Sequence, residues 1–150
     1  MSDRPSAQAR IARRRIETLE QELERNPDDV AARVELARRH FALAREAEQE
    51  ARRNASSPAA KEREAAYRRV LEAAQEALVR APAHVEATRL LGEGYAGIAG
   101  CAIDRDVLAE PDWISAVHAF VSVTRWRPQD AEAYRRVAWC SFWLGAGRLQ

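Results

Sequence analysis

Residues Leu91-Gly92-Glu93-Gly94-Tyr95 lie in a stretch, starting near Thr88, that has the composition of a packed helix apart from its two glycines. Glycine in a helix interior is less favourable than alanine by about 1 kcal/mol. A glycine at position 92 is useful where a second helix must approach closely, because it has no side chain to hold the two backbones apart. The stretch therefore predicts a helix that packs tightly against another at Gly92.

The surrounding sequence places this helix in a repeating unit. Pro82 lies ten residues before Gly92, Ala116 and Phe120 have the spacing A-x3-F, and Pro128 follows Phe120 by eight residues. Together with the pattern L-G-x-x-Y at residues 91–95, these positions resemble one repeat of the tetratricopeptide repeat (TPR) family. The resemblance implies a helix A after Pro82, a helix B containing Ala116 and Phe120, and a turn at Pro128 that ends the unit.

A third turn proline extends the pattern towards the N-terminus. Pro27 lies 55 residues before Pro82, and Pro82 lies 46 residues before Pro128. A TPR unit has about 34 residues, so these two units carry roughly 21 and 12 extra residues between helix A and helix B. We expect a divergent TPR protein over about residues 10–145: an all-α, right-handed array of antiparallel helix pairs (a TPR-like α-solenoid) with elongated or inserted segments. Another right-handed array of helical hairpins is the alternative.

Apolar residues at helical spacing predict the individual elements. We expect a flexible N-terminus at residues 1–9, one repeat domain at 10–145, a tail at 146–150, and a connector over residues 101–112. The predicted helices span residues 5–25, 30–53, 59–80, 83–97, 113–125 and 131–144.

Composition and charge limit the classes of partner that we expect. The chain has 150 residues, of which 47% are hydrophobic and 31% charged, and a net charge of +1. We therefore expect no nucleic-acid partner and no membrane partner, because a net charge of +1 is too small to attract either one. RNA binding by the basic first helix would need aromatic residues among its arginines, and the first aromatic residue is Phe41. A cytoplasmic location is expected, since the start of the chain lacks a secretory signal.

Catalytic and metal-binding patterns are missing from the sequence. His40, His84 and His118 are far apart and have no second ligand at metal-binding spacing. Cys101 and Cys140 lack the C-x-x-C spacing of zinc or redox sites, so we expect buried thiols. We predict that the protein is not an enzyme and uses no cofactor and no metal.

The TPR resemblance implies a groove lined by helix A side chains. Arginines at these positions suit a carboxylate or an acidic peptide, and tryptophans are enriched among binding hot spots. Long side chains that only solvate a helix are the alternative. The predicted partner-binding residues are Val34, Arg38, Phe41, Arg89, Glu93, Arg135, Trp139 and Trp143.

The last predicted helix is apolar on nearly every side, which predicts burial on more than one side. Two functions follow. The first is a protein–protein interaction scaffold that binds a peptide or a partner helix on its helix A face. The second is a structural self-assembling module that forms a homo-oligomer through the C-terminal helix.

Overall fold

The computed structural model describes residues 6–54, 57–104 and 109–147 of the chain. All regular elements of this part are helices and it contains no strand, which confirms the predicted all-α class. Its six helices are α1 (Ala7–Arg25), α2 (Val30–Arg53), α3 (Ala59–Arg80), α4 (Val85–Ile103), α5 (Glu110–Trp126) and α6 (Ala131–Gly147).

Helices α2 and α3 have the bounds that the sequence predicts, and α1 ends at the predicted residue. Helix α1 begins at Ala7, where the Ser6 hydroxyl accepts a hydrogen bond from the Ala9 amide. Helix α6 continues to Gly147. Residues 7–9 and 146–147, which the prediction assigned to the two terminal segments, are therefore helical. Residues 1–5 and 148–150 lie outside the described part.

The turns at the three repeat prolines have the same backbone conformation. The residues that precede them, Asn26, Ala81 and Arg127, have φ between −137° and −130° and ψ between 75° and 83°. A proline disfavours the helical conformation in the residue before it, so each helix ends there. The three turns are thus copies of one local structure.

The residue two places after each proline caps the helix that follows. The side chains of Asp29, His84 and Asp130 each accept a hydrogen bond from the backbone amide three residues later, at 2.9, 3.2 and 3.0 Å. Such a bond satisfies an amide that has no partner within the helix. Positions can therefore be compared between α2, α4 and α6 by counting from the turn proline, and we call this count the register.

Each helix packs against the next one in the chain, and α2 also contacts α4. Two glycines of α4 show that α3 and α4 pack antiparallel. A Cβ atom at Gly94 would meet Leu71, and one at Gly97 would meet Tyr67. One core lies between α2, α3 and α4, and a second lies between α4, α5 and α6 around Phe120.

Gly92 marks a close helix approach, as the sequence predicts. A Cβ atom at this position would lie 2.9 Å from two atoms of the Phe120 ring. Phe120 is fully buried. The two signature residues of α4 and α5 therefore contact each other directly.

The prediction that α4 weakens at Gly97 and gives way to a connector at residues 101–112 is wrong at both ends. Helix α4 continues to Ile103, and α5 begins at Glu110. A Cβ atom at Gly97 would lie only 2.3 Å from the Tyr67 ring. Packing of that ring therefore offsets the low helix propensity of glycine. Pro111 is tolerated because it falls in the first turn of α5, where its missing N–H has no helical acceptor.

Candidate protein-binding surfaces

Ion pairs connect α2, α4 and α6. Arg38 Nε lies 3.5 Å from Glu86 Oε1, which joins α2 to α4. Arg89 hydrogen bonds to Asp130 Oδ2, and its Nε lies 3.7 Å from Glu86 Oε2. The bond from Arg89 holds the pKa of Asp130 below its usual range. All three arginines predicted to bind a partner are thus paired within the chain, Arg38 with Glu86, Arg89 with Asp130 and Arg135 with Glu132.

A second ion pair between α4 and α6 is more buried. Arg136 donates two hydrogen bonds to Glu93, from Nε to Oε1 at 3.0 Å and from Nη2 to Oε2 at 2.5 Å. Burial raises the pKa of Glu93, and Arg136 opposes this rise. Glu93 therefore holds α6 onto α4 and is not a free ligand for a partner.

Aromatic side chains surround the same arginine. The Arg136 guanidinium lies 4.6 Å from the centroid of the Trp139 ring, a cation–π distance. Trp139 also makes edge contacts with Trp113 and Trp143, at centroid distances of 5.3 and 6.4 Å. It is nevertheless 42% exposed. Trp139 is therefore a large aromatic side chain whose position is fixed while part of its ring remains open.

The other predicted residues differ in accessibility. Val34 is buried in the core between α2, α3 and α4, and Phe41 is half-buried with its ring centroid 6.4 Å from that of Tyr67. Trp143 packs against the core between α4, α5 and α6. Arg38 and Arg135 keep 55% and 75% of their side-chain surface exposed. These two arginines and Trp139 are the predicted residues with the most surface available.

An open cleft of about 850 Å³ lies between the start of α4 and the turn from α5 to α6. Its walls include Glu86, Arg89, Trp126 and Asp130. Sequence analysis identified Arg89 but not Trp126, which is 42% exposed at the last residue of α5. The cleft thus extends the predicted helix A surface towards the turns.

One side of α6 is not covered by the described part of the chain. Tyr134 is 51% and Phe142 is 66% exposed, and Ala138 lies one helical turn from each of them. Ser141 and Gly145 are exposed on the same side. We call these five residues the outer face of α6. The opposite side of α6, which includes the buried Cys140, packs against the core.

The outer face has the same register as surfaces that α2 and α4 bury. Ten, fourteen and seventeen residues after the turn proline, α2 carries Ala37, Phe41 and Ala44, α4 carries Gly92, Ala96 and Ala99, and α6 carries Ala138, Phe142 and Gly145. In α2 and α4 these residues are buried, apart from the half-buried Phe41. In α6 all three are exposed.

Sequence analysis missed Arg136 and chose its neighbour Arg135. A signal was available: eight residues after its turn proline, α4 carries the buried Leu90, and α6 carries Arg136. A cation at an inward-facing register position needs a buried acid, because an unpaired buried charge is costly. Glu93 on α4 is that acid.

Residues 6–54, 57–104 and 109–147 contain no group of three or more His, Cys, Asp or Glu side chains that could hold a metal ion. Burial raises the pKa of the Cys140 thiol to about 11, so this thiol is a poor nucleophile. None of the helices in these ranges is long and apolar enough to cross a membrane.

No protein-family model matches the sequence, and a search of curated proteins also finds no match.

Proposed function

We propose that the chain is a protein-interaction scaffold of the TPR type, in which the six helices form a right-handed array. Three equivalent turns with equivalent caps support a repeated unit. Contact between α2 and α4, which are both helix A in this assignment, supports stacking of consecutive units.

In this proposal α2, α4 and α6 present the binding surface, and the ligand is an acidic peptide or a partner helix. Arg38 and Arg135 supply positive charge, since each is more than half exposed. Their intrachain partners Glu86 and Glu132 keep 37% and 53% of their side-chain surface exposed, and ion pairs near the surface contribute about 0 to 1 kcal/mol. A ligand carboxylate can therefore replace Glu86 or Glu132 at little cost. Val34 and Glu93 support the surface from within.

The observation that carries the proposal is the fixed and partly exposed ring of Trp139. The loss of side-chain freedom normally opposes binding, at a cost of about 0.5 to 1.5 kcal/mol for each side chain that becomes ordered. Contacts with Trp113, Trp143 and Arg136 already restrict Trp139 before any ligand arrives. A ligand that covers this ring gains apolar contact without that loss.

Peptide selection tests the proposal. Peptides selected by display on the whole protein should be enriched in acidic residues, and Trp139→Ala should weaken their binding at least tenfold, which is about 1.4 kcal/mol. Ile11→Ala is the control, because Ile11 is also a large exposed apolar side chain but lies on α1, outside the proposed surface. Equal losses from the two substitutions, with both variants folded by circular dichroism, would contradict the proposal.

The outer face of α6 favours a second function, self-association of the chain through its C-terminal helix. Exposed Tyr134 and Phe142 flank Ala138 there. Contiguous exposed apolar surface is characteristic of interaction sites.

A further inference from the structure

Helix α3, together with α4, covers on α2 the register positions that are open on α6. The side chains of Ala37 and Ala44 are fully buried there, and Phe41 packs against Tyr67 of α3. On α4, the ring of Phe120 from α5 covers Gly92. Helices α4 and α5 thus pack with a large side chain over a small residue. Helix α6 has the small residue Ala138 at the register of Gly92.

A head-to-tail contact with α1 of another copy does not supply this cover. On α3 the residues Val70, Ala73 and Ala77 are buried. Measured back from the turn proline that follows each helix, the equivalent positions of α1 are Arg15, Thr18 and Glu22. Arg15 makes ion pairs with Glu22 and Glu35. Covering the outer face of α6 with this polar surface would bury charges that water now solvates.

We propose that two copies of the chain pair through their α6 helices, antiparallel about a two-fold axis that crosses the outer face between Ala138 and Phe142, so that Phe142 of each copy packs on Ala138 of the other. This inference rests on the second proposed function, self-association through α6. Phe142 and Ala138 are four residues apart and share one side of the helix. A two-fold axis midway between them therefore forms the same contact twice.

This arrangement repeats, between copies, a contact found within the chain. Phe142 on Ala138 corresponds to Phe120 on Gly92, and Ala138 has the register of Gly92. Tyr134 and Gly145 extend the apolar surface on either side. Two-fold interfaces close on themselves. The dimer would have the polar surface of α1 at both ends, which opposes further growth.

Two measurements on the full chain test the proposal together. Light scattering after size exclusion should show a mass that rises from 16.9 kDa towards twice that value as the protein is concentrated. Phe142→Glu should keep the protein monomeric with an unchanged circular dichroism spectrum. Val79→Glu is the control, because Val79 is also an exposed apolar residue but lies on α3.

Cross-linking tests the geometry. Ser141→Cys lies beside the proposed axis and should be joined to its copy by a short bismaleimide, whereas the exposed Thr18→Cys on α1 should not. Cys101 and Cys140 are buried and give little background. A dimer that resists Phe142→Glu, or that cross-links at Thr18→Cys but not at Ser141→Cys, overturns this geometry and leaves self-association standing. A monomer at every concentration overturns both.

Discussion

The two ends of the helix series differ in what they present to solvent. Helix α1 has polar residues, Arg15, Thr18 and Glu22, where α3 has buried apolar ones, and ion pairs hold Arg15 in place. Helix α6 has Ala138 and Phe142 where α2 has residues that α3 covers, and both are exposed.

The difference shows that the turns and the side chains control separate properties. The three proline turns share one conformation, so they set which residues of the next helix face its neighbour. Side chains then determine whether a helix face is polar and stays in solvent, or is apolar and can pack against another helix. On this view α1 is a cap and α6 is an interface.

Making α1 resemble α3 should have the largest effect. The triple variant Arg15→Val, Thr18→Ala and Glu22→Ala gives α1 an apolar face that α6 of another copy can cover. Because such a head-to-tail contact does not close, we expect assemblies much larger than a dimer, eluting near the void volume in size exclusion. Adding Phe142→Glu should reverse this assembly. A triple variant with the elution profile of the parent would contradict the assignment of α1 as a cap.

His40 has the same register in α2 as Ser141 of the outer face has in α6. Its protonation therefore reports on a covered equivalent of that face. Burial lowers the pKa of His40 to about 4 from its usual 6.5. Below pH 6.5 the unfolded chain binds a proton there, and the folded chain does not until about pH 4. The free energy of unfolding should therefore fall by about 2 kcal/mol between pH 7 and pH 5.

Urea denaturation at the two pH values measures this change. His40→Gln should remove most of the pH dependence, whereas His118→Gln, at an exposed position, should keep it. The pair between Glu35 and Arg15 acts in a lower range, because Arg15 lowers the pKa of Glu35 to about 2. An unchanged pH dependence in His40→Gln would rule out this histidine as its source.

Substitutions at one register position compare a covered face with an open one. Gly92→Leu forces a side chain against the Phe120 ring and should lower the free energy of unfolding by about 1 to 3 kcal/mol. Ala138→Leu, measured in dilute solution, should change it by less than about 0.5 kcal/mol, since exposed substitutions are usually tolerated. Thermal melts of the two variants decide the matter: similar losses would mean that a part of the chain covers Ala138.

Much of the fold could be predicted from local sequence signals. Proline turns and apolar spacing predict the bounds of α2 and α3 and the close approach at Gly92, because these features act over a few residues. The full length of α4 could not be predicted in this way. It depends on the Tyr67 ring, which packs on Gly97 from another helix.

The candidate surface was less predictable for the same reason. The TPR resemblance predicts that Val34, Arg89 and Glu93 lie on one surface, but the accessibility of each residue depends on partners elsewhere in the chain. Val34 is buried, Arg89 is paired with Asp130, and Glu93 is paired with Arg136. The apolar character of α6 predicted burial on more than one side, whereas Ala138 and Phe142 are exposed in the described part of the chain.

Hydrogen exchange at low and high protein concentration tests most directly whether α6 is an interface while α1 is a cap. We predict that amides of α6, residues 131–147, exchange more slowly in the concentrated protein, that α1 is unaffected, and that Phe142→Glu removes the effect. Identical exchange of α6 at both concentrations, or slowing confined to α1, would contradict this account.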